Sequence, residues 1–135
     1  MNPDTIVYEE SCQGDLVETI QHTTNDACYA VNLLSRLNGD SVTLLSLVRK
    51  NETLNIGGGN DGRYFVTYHR GSHDEYSILQ NPSATGYNQV TVTVAGMRRL
   101  FFPRACVGWS GAARAAAHFV TNGGKSAKLI WEIQP

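Results

Sequence analysis

The sequence predicts an α+β domain: a mostly antiparallel sheet of meander type, helices packed on one of its faces, and a C-terminal helix followed by a final strand. Three features point there. From Ser41 the apolar pattern changes from helical spacing to the alternation of strands. Turn-forming residues separate the strand candidates at short intervals. Near the end, an Ala-rich segment closed by Gly123 and Gly124 precedes an alternating run. With 135 residues and 41% hydrophobic content, the chain has the size of one domain with one ordinary core, spanning residues 1–135.

Residues 5–8 form a short strand candidate. Residues 15–23 read as a helix, because Leu16, Val17 and Ile20 fall at helical spacing and acids in the first turns suit the dipole. A second helix begins at Asn25 or Asp26, either of which can cap it. Ala30, Leu33, Leu34 and Leu37 share one face, and Gly39 supplies a left-handed stop. Strands follow at 42–48, 53–56, 64–68, 76–80 and 89–94, with turns at 51–52, 60–62, 70–72 and 81–86. Val90, Val92 and Val94 are expected on one face and Gln89, Thr91 and Thr93 on the other, a sheet covered on one side. Ser110 can cap a helix running to Asn122, with Ala112, Ala116, Phe119 and Val120 packing inward. In the last strand Ala127, Leu129, Trp131 and Ile133 should face the core while Lys128, Glu132 and Gln134 face water.

Charge is unevenly distributed. Residues 1–35 hold six acids (Asp4, Glu9, Glu10, Asp15, Glu18 and Asp26) and no Lys or Arg, whereas the remainder carries six acids against eleven bases. The acidic first third repels nucleic acid and favours a basic partner. Cys12, Cys28 and Cys106 are odd in number and widely spaced, which fits neither a disulfide framework nor a zinc site, and reduced thiols are expected. Met1, Asn2, Pro3 and Asp4 lack the basic and apolar regions of a leader, and no apolar run reaches a membrane span. A cytoplasmic protein without membrane or cofactor partners is the expectation.

The motifs that suggest chemistry have simpler readings. Residues 57–62 satisfy G-x-G-x-x-G after a predicted strand, but the residues that follow, Arg63 to Tyr68, are aromatic and β-branched. No helix opens there to hold a pyrophosphate, so a glycine-containing hairpin is expected. Gly108, Trp109, Ser110 and Gly111 approach a nucleophile elbow, yet position 112 is Ala, and none of His22, His69, His73 and His118 sits in a partner motif. His69, His73 and Asp74 straddle a loop at a spacing poor for a metal. Bases and aromatics interleave over residues 97–104, but with few charges, so Leu100, Phe101 and Phe102 are expected to pack inward. The doublets Glu9-Glu10 and Asp74-Glu75 place their carboxylates on opposite faces if they lie on strands, which suits no acid/base pair. A binding protein rather than an enzyme follows.

The order of segments adds to this. A first strand, then residues 15–20 (DLVETI), 54–59 (LNIGGG) and 62–68 (GRYFVTY), then Phe102-Pro103, a helix with residues 116–120 (AAHFV), and finally Leu129-Ile130-Trp131 resemble an immunity-protein family of bacterial polymorphic toxin systems. That family is often encoded beside nucleic-acid deaminase toxins. Residues 25–39 look like an additional helix relative to its simplest pattern. The resemblance implies a protein that binds a cognate toxin, a cytidine-type deaminase, and blocks its active site without chemistry of its own. Leu54, Ile56, Tyr64, Val66, Phe119 and Trp131 match as scaffold.

A deaminase holding nucleic acid presents a basic groove, which an inhibitor can fill with carboxylates. The candidates are Glu9, Glu10, Asp15 and Glu18 in the acidic first third, and the turn His73, Asp74, Glu75 and Tyr76, with Asp61 at a neighbouring tip. The turn is preferred, since Asp74 and Glu75 have no evident local duty. The competing expectations are a small enzyme or ligand-binding domain with a pocket between sheet and helices lined by Tyr64, Tyr68, His69 and Trp109, and a secretion chaperone or adaptor for an exported effector.

Overall fold

In successive strands every second residue points to one side, and this alternation builds the core. The computed structural model describes residues 4–71 and 74–135. The elements in order are β1 (Thr5–Gln13), β2 (Leu16–Thr24), α1 (Ala27–Leu34), β3 (Val42–Arg49), β4 (Glu52–Asn60), β5 (Arg63–Arg70) and β6 (Glu75–Leu79). Then come β7 (Val90–Val94), β8 (Met97–Phe101), a 3-10 turn (Pro103–Ala105), α2 (Trp109–Asn122) and β9 (Trp131–Ile133). Seven strands form one antiparallel sheet in the order β2-β1-β3-β4-β5-β6-β9, and β7 and β8 form a separate pair.

Register aligns Val7, Leu47, Leu54 and Tyr68 in one row across the sheet and Glu9, Leu45, Ile56 and Val66 in the next. The apolar members of these rows are buried against Ala30, Leu33, Leu34 and Leu37 of the α1 region and Ala112, Ala116, Phe119 and Val120 of α2. Both helices therefore cover the same face. The C-terminal end of α2 is anchored from below: buried Arg49 donates to the carbonyls of Phe119 (2.6 Å), which also accepts the Gly123 N–H, and of Val120 (3.2 Å).

Several sequence expectations are corrected. Residues 15–23 are not a helix but the turn and strand of the β1–β2 hairpin, with Gly14 left-handed (φ 61°) at its tip. Asp26 does cap α1, accepting the Cys28 N–H at 2.9 Å, but the helix stops at Leu34 and Leu37 is buried beyond it. The residues 89–94 segment leaves the meander, because its partner is β8 rather than β6. Of the three apolar residues at 100–102, only Phe101 packs, stacking on Phe65 with centroids 4.4 Å apart, while Leu100 and Phe102 are exposed. The cap of α2 is Gly108, with no side-chain bond, rather than Ser110. The final strand begins only at Trp131. Leu129 and Trp131 pack against the core, but Ala127 and Ile133 are exposed.

The glycine cluster lies inside β4, and the hairpin tip is Asp61-Gly62, both left-handed as a type I′ turn requires. Gly57 and Gly58 instead permit a close approach. A Cβ on Gly57 would lie 2.6 Å from the Val94 side chain, and one on Gly58 would lie 2.7 Å from that of Val92. These glycines let the β7–β8 hairpin settle on the face opposite the helices, where Val92 is fully buried.

Candidate functional site

The nine acidic and turn residues singled out above fall into three settings. Glu9 and Glu10 diverge, as adjacent strand residues must. Glu9 faces the helices, is 1% exposed, and lies 2.8 Å from Arg36 Nε and 3.8 Å from His22 Nε2. The other ring nitrogen of His22 bonds the Tyr29 hydroxyl at 3.0 Å. Glu9 is thus an interior acid and is withdrawn from the docking surface. Glu10 is half-buried on the opposite face.

At the β5–β6 turn, Asp74 is exposed and Tyr76 sits edge-on to His69, ring centroids 4.4 Å apart. His73 lies outside the described residues. Glu75 is engaged locally, contrary to expectation: it pairs with Lys125 and accepts from Ser77 Oγ at 3.0 Å. The Lys125 hydrogen bond holds its carboxyl below the ordinary range, against the opposing effect of burial. Burial lowers the His69 pKa. The Tyr68 hydroxyl donates to Glu52 at 2.5 Å, and burial together with that carboxylate raises its pKa. The acids at this end are therefore mostly committed to the fold.

Topology separates the two turn candidates. β5 begins at the Asp61-Gly62 tip and ends at the turn before Asp74, so eight residues of strand place them about 26 Å apart. Asp61 instead shares its end of the sheet with the β1–β2 turn, because Ser11 pairs with Val42 and Leu44 with Gly57. Asp15 and Asp61 are both exposed there, Glu18 follows on β2, and the Asp61 carboxylate is 3.7 Å from Arg63.

Sequence reasoning missed the apolar half of this surface. β2 is an edge strand that pairs only with β1 among the described residues, and Leu16, Val17 and Ile20 on it are 58%, 54% and 41% exposed. Helical spacing of these three residues masked a strand whose signal was its β-branched content: Val17, Thr19, Ile20, Thr23 and Thr24.

The alternative pocket does not assemble. Tyr64 and Tyr68 are buried toward the helices, with Trp109 edge-on to Tyr64 at 6.2 Å, whereas His69 points through the opposite face with Tyr76. A cavity of about 330 Å³ is bordered by Arg63, Asn81, Pro103, Cys106 and Gly108. Burial pushes the Cys106 thiol pKa up, which keeps it protonated and a poor nucleophile. No group of three or more His, Cys, Asp or Glu side chains is placed to hold a metal among the described residues. Nor is any described helix long and apolar enough to cross a membrane. No protein-family model matches the chain, and no curated protein matches it significantly.

Proposed function

We propose that this chain is an immunity protein that binds a bacterial toxin, a nucleic-acid deaminase of the cytidine type, and neutralises it by covering its active site. One observation carries the reading: the β1–β2 hairpin leaves Asp15 and Glu18 beside exposed Leu16, Val17 and Ile20, with Asp61 at the same end. Apolar groups interspersed with carboxylates suit a protein interface better than a solvated surface, since burying them removes apolar area from water while the acids select a basic partner. A deaminase groove that holds phosphates supplies that basic counterpart. The segment order described above supports the same reading. In the inhibited complex the carboxylates take the place of phosphates, and the bulk of the domain blocks entry of the flipped or single-stranded base.

Co-expression with the toxin domain encoded beside this chain tests the proposal. Protection of growth is expected, together with loss of deamination of a single-stranded oligonucleotide when the purified proteins are mixed at equimolar concentration. A stable, folded chain that neither binds nor inhibits that toxin would refute it.

A further inference from the structure

The two edges of the main sheet are finished differently. β9 is three residues long and ends its edge by brevity, whereas β2 runs for nine residues with no proline and no register shift against β1. Native sheets usually shorten, bulge or charge such an edge because its outer amides and carbonyls are open to another strand. The direction of those groups follows from the register. Cys12 N–H donates to the Ser41 carbonyl at 2.7 Å, toward the β3 side, so its partner Val17 turns its backbone groups away from β1. With an unbroken register, Thr19, Gln21 and Thr23 do the same. The edge thus presents donor and acceptor groups at every second residue.

We propose that β2 is the docking edge, and that an extended, basic segment of the partner adds to it as a further strand; the identity of that partner as the toxin rests on the function proposed above. Backbone pairing along Val17, Thr19, Gln21 and Thr23 supplies affinity, and side chains on alternate positions supply selectivity. Leu16, Glu18 and Ile20 share the helix-side face of β2, so the fitting strand carries a Lys or Arg flanked by apolar residues on that face. Charge decides against a second copy of this chain as the occupant. Residues 1–35 contain no Lys or Arg, so β2 of a second copy offers no such strand: antiparallel pairing along residues 17–23 would set each Glu18 opposite a His22 whose ring is already engaged with Tyr29 and Glu9.

Proline provides the test, because at an outward-facing edge position it removes an amide that the fold does not use. In Thr19→Pro the melting temperature should change little, while affinity for the toxin domain encoded beside this chain falls at least about tenfold. Glu18→Lys, which leaves the backbone intact, should weaken binding and flatten its salt dependence, and it serves if Thr19→Pro does not fold. Equal affinities of both variants and wild type would overturn strand addition even if the toxin is bound. Should wild type fail to bind that toxin, the functional reading falls, and a displayed library of nine-residue peptides decides the edge proposal separately. Enrichment on wild type, but not on Thr19→Pro, of alternating sequences with a basic residue between apolar ones supports it. No enrichment, or peptides that bind both proteins alike, overturns it. A concentration-dependent dimer of wild type that Thr19→Pro abolishes would likewise overturn it by assigning the edge to a second copy.

Discussion

Glu9 is the residue whose environment departs most from what its neighbours suggest. Its backbone lies in a strand that could expose or bury it, and the strand period says only that Glu9 and Glu10 part company. Burial of Glu9 is set by long-range elements: the α1 region brings Arg36 to 2.8 Å and β2 brings His22 alongside. Neither approach is written in the local sequence, which is why the alternation was legible and the buried member was not. The pair is asymmetric, since Arg36 is half-exposed while Glu9 is not. Removing the cation strands a carboxylate in the interior, whereas neutralising the carboxylate leaves an arginine that water can still reach. Arg36→Met should therefore destabilise by about 3 kcal/mol, the lower end for a broken buried pair, and Glu9→Gln by only about 1 kcal/mol. Urea denaturation of the two variants checks the order. Equal costs would refute this asymmetry of the pair.

Elements that pack on both sides were the readable ones. β3 alternates buried and half-buried positions, β4 and β5 bury three consecutive residues at their centres, and α2 carries small residues with Phe119 and Val120 on one face, so their apolar content reflects their burial. β2 buries almost nothing, and an edge strand without a covered face leaves no apolar period to detect. The glycines of β4 were half legible: their failure as a phosphate turn follows from the strand after them, but their task depends on β7, which is more than thirty residues away in the chain. That task is testable at the level of the hairpin. Gly58 has φ 106°, and a Cβ there would lie 2.6 Å from the Arg63 carbonyl as well as against Val92, whereas a Cβ at Gly62 (φ 71°) would meet nothing within 4 Å. Gly58→Ala should cost about 2–4 kcal/mol, combining backbone strain with displacement of a packed strand. Gly62→Ala should cost about 1–2 kcal/mol from left-handed strain alone. Guanidinium denaturation gives both values, and equal costs would remove β7 from the explanation.

At the scale of the whole molecule, the uneven charge of the sequence becomes a polarity along the strands. Glu9 is neutralised internally and Glu75 by Lys125, so neither contributes an uncompensated charge to the surface. Asp15, Glu18 and Asp61 remain exposed at or near one end of the sheet, with Asp74 about 26 Å away at the other. A basic groove can engage one end closely, and beyond about 8 Å at physiological ionic strength a distant carboxylate is largely screened. The Asp74-Glu75 turn, preferred from sequence because neither acid has an evident local duty, presents only Asp74 as an exposed carboxylate, since Glu75 pairs with Lys125. Charge reversal at the two ends should then differ sharply. The triple change Asp15→Lys, Glu18→Lys and Asp61→Lys should slow association with the proposed toxin partner at least about tenfold and remove most of its salt dependence, since steering depends on the local field. Asp74→Lys should alter the association rate less than about twofold. Stopped-flow or surface-binding kinetics over a salt series, on variants with unchanged melting temperatures, reads both effects. A rate that responds to Asp74 and ignores the triple change would place the partner at the β5–β6 end.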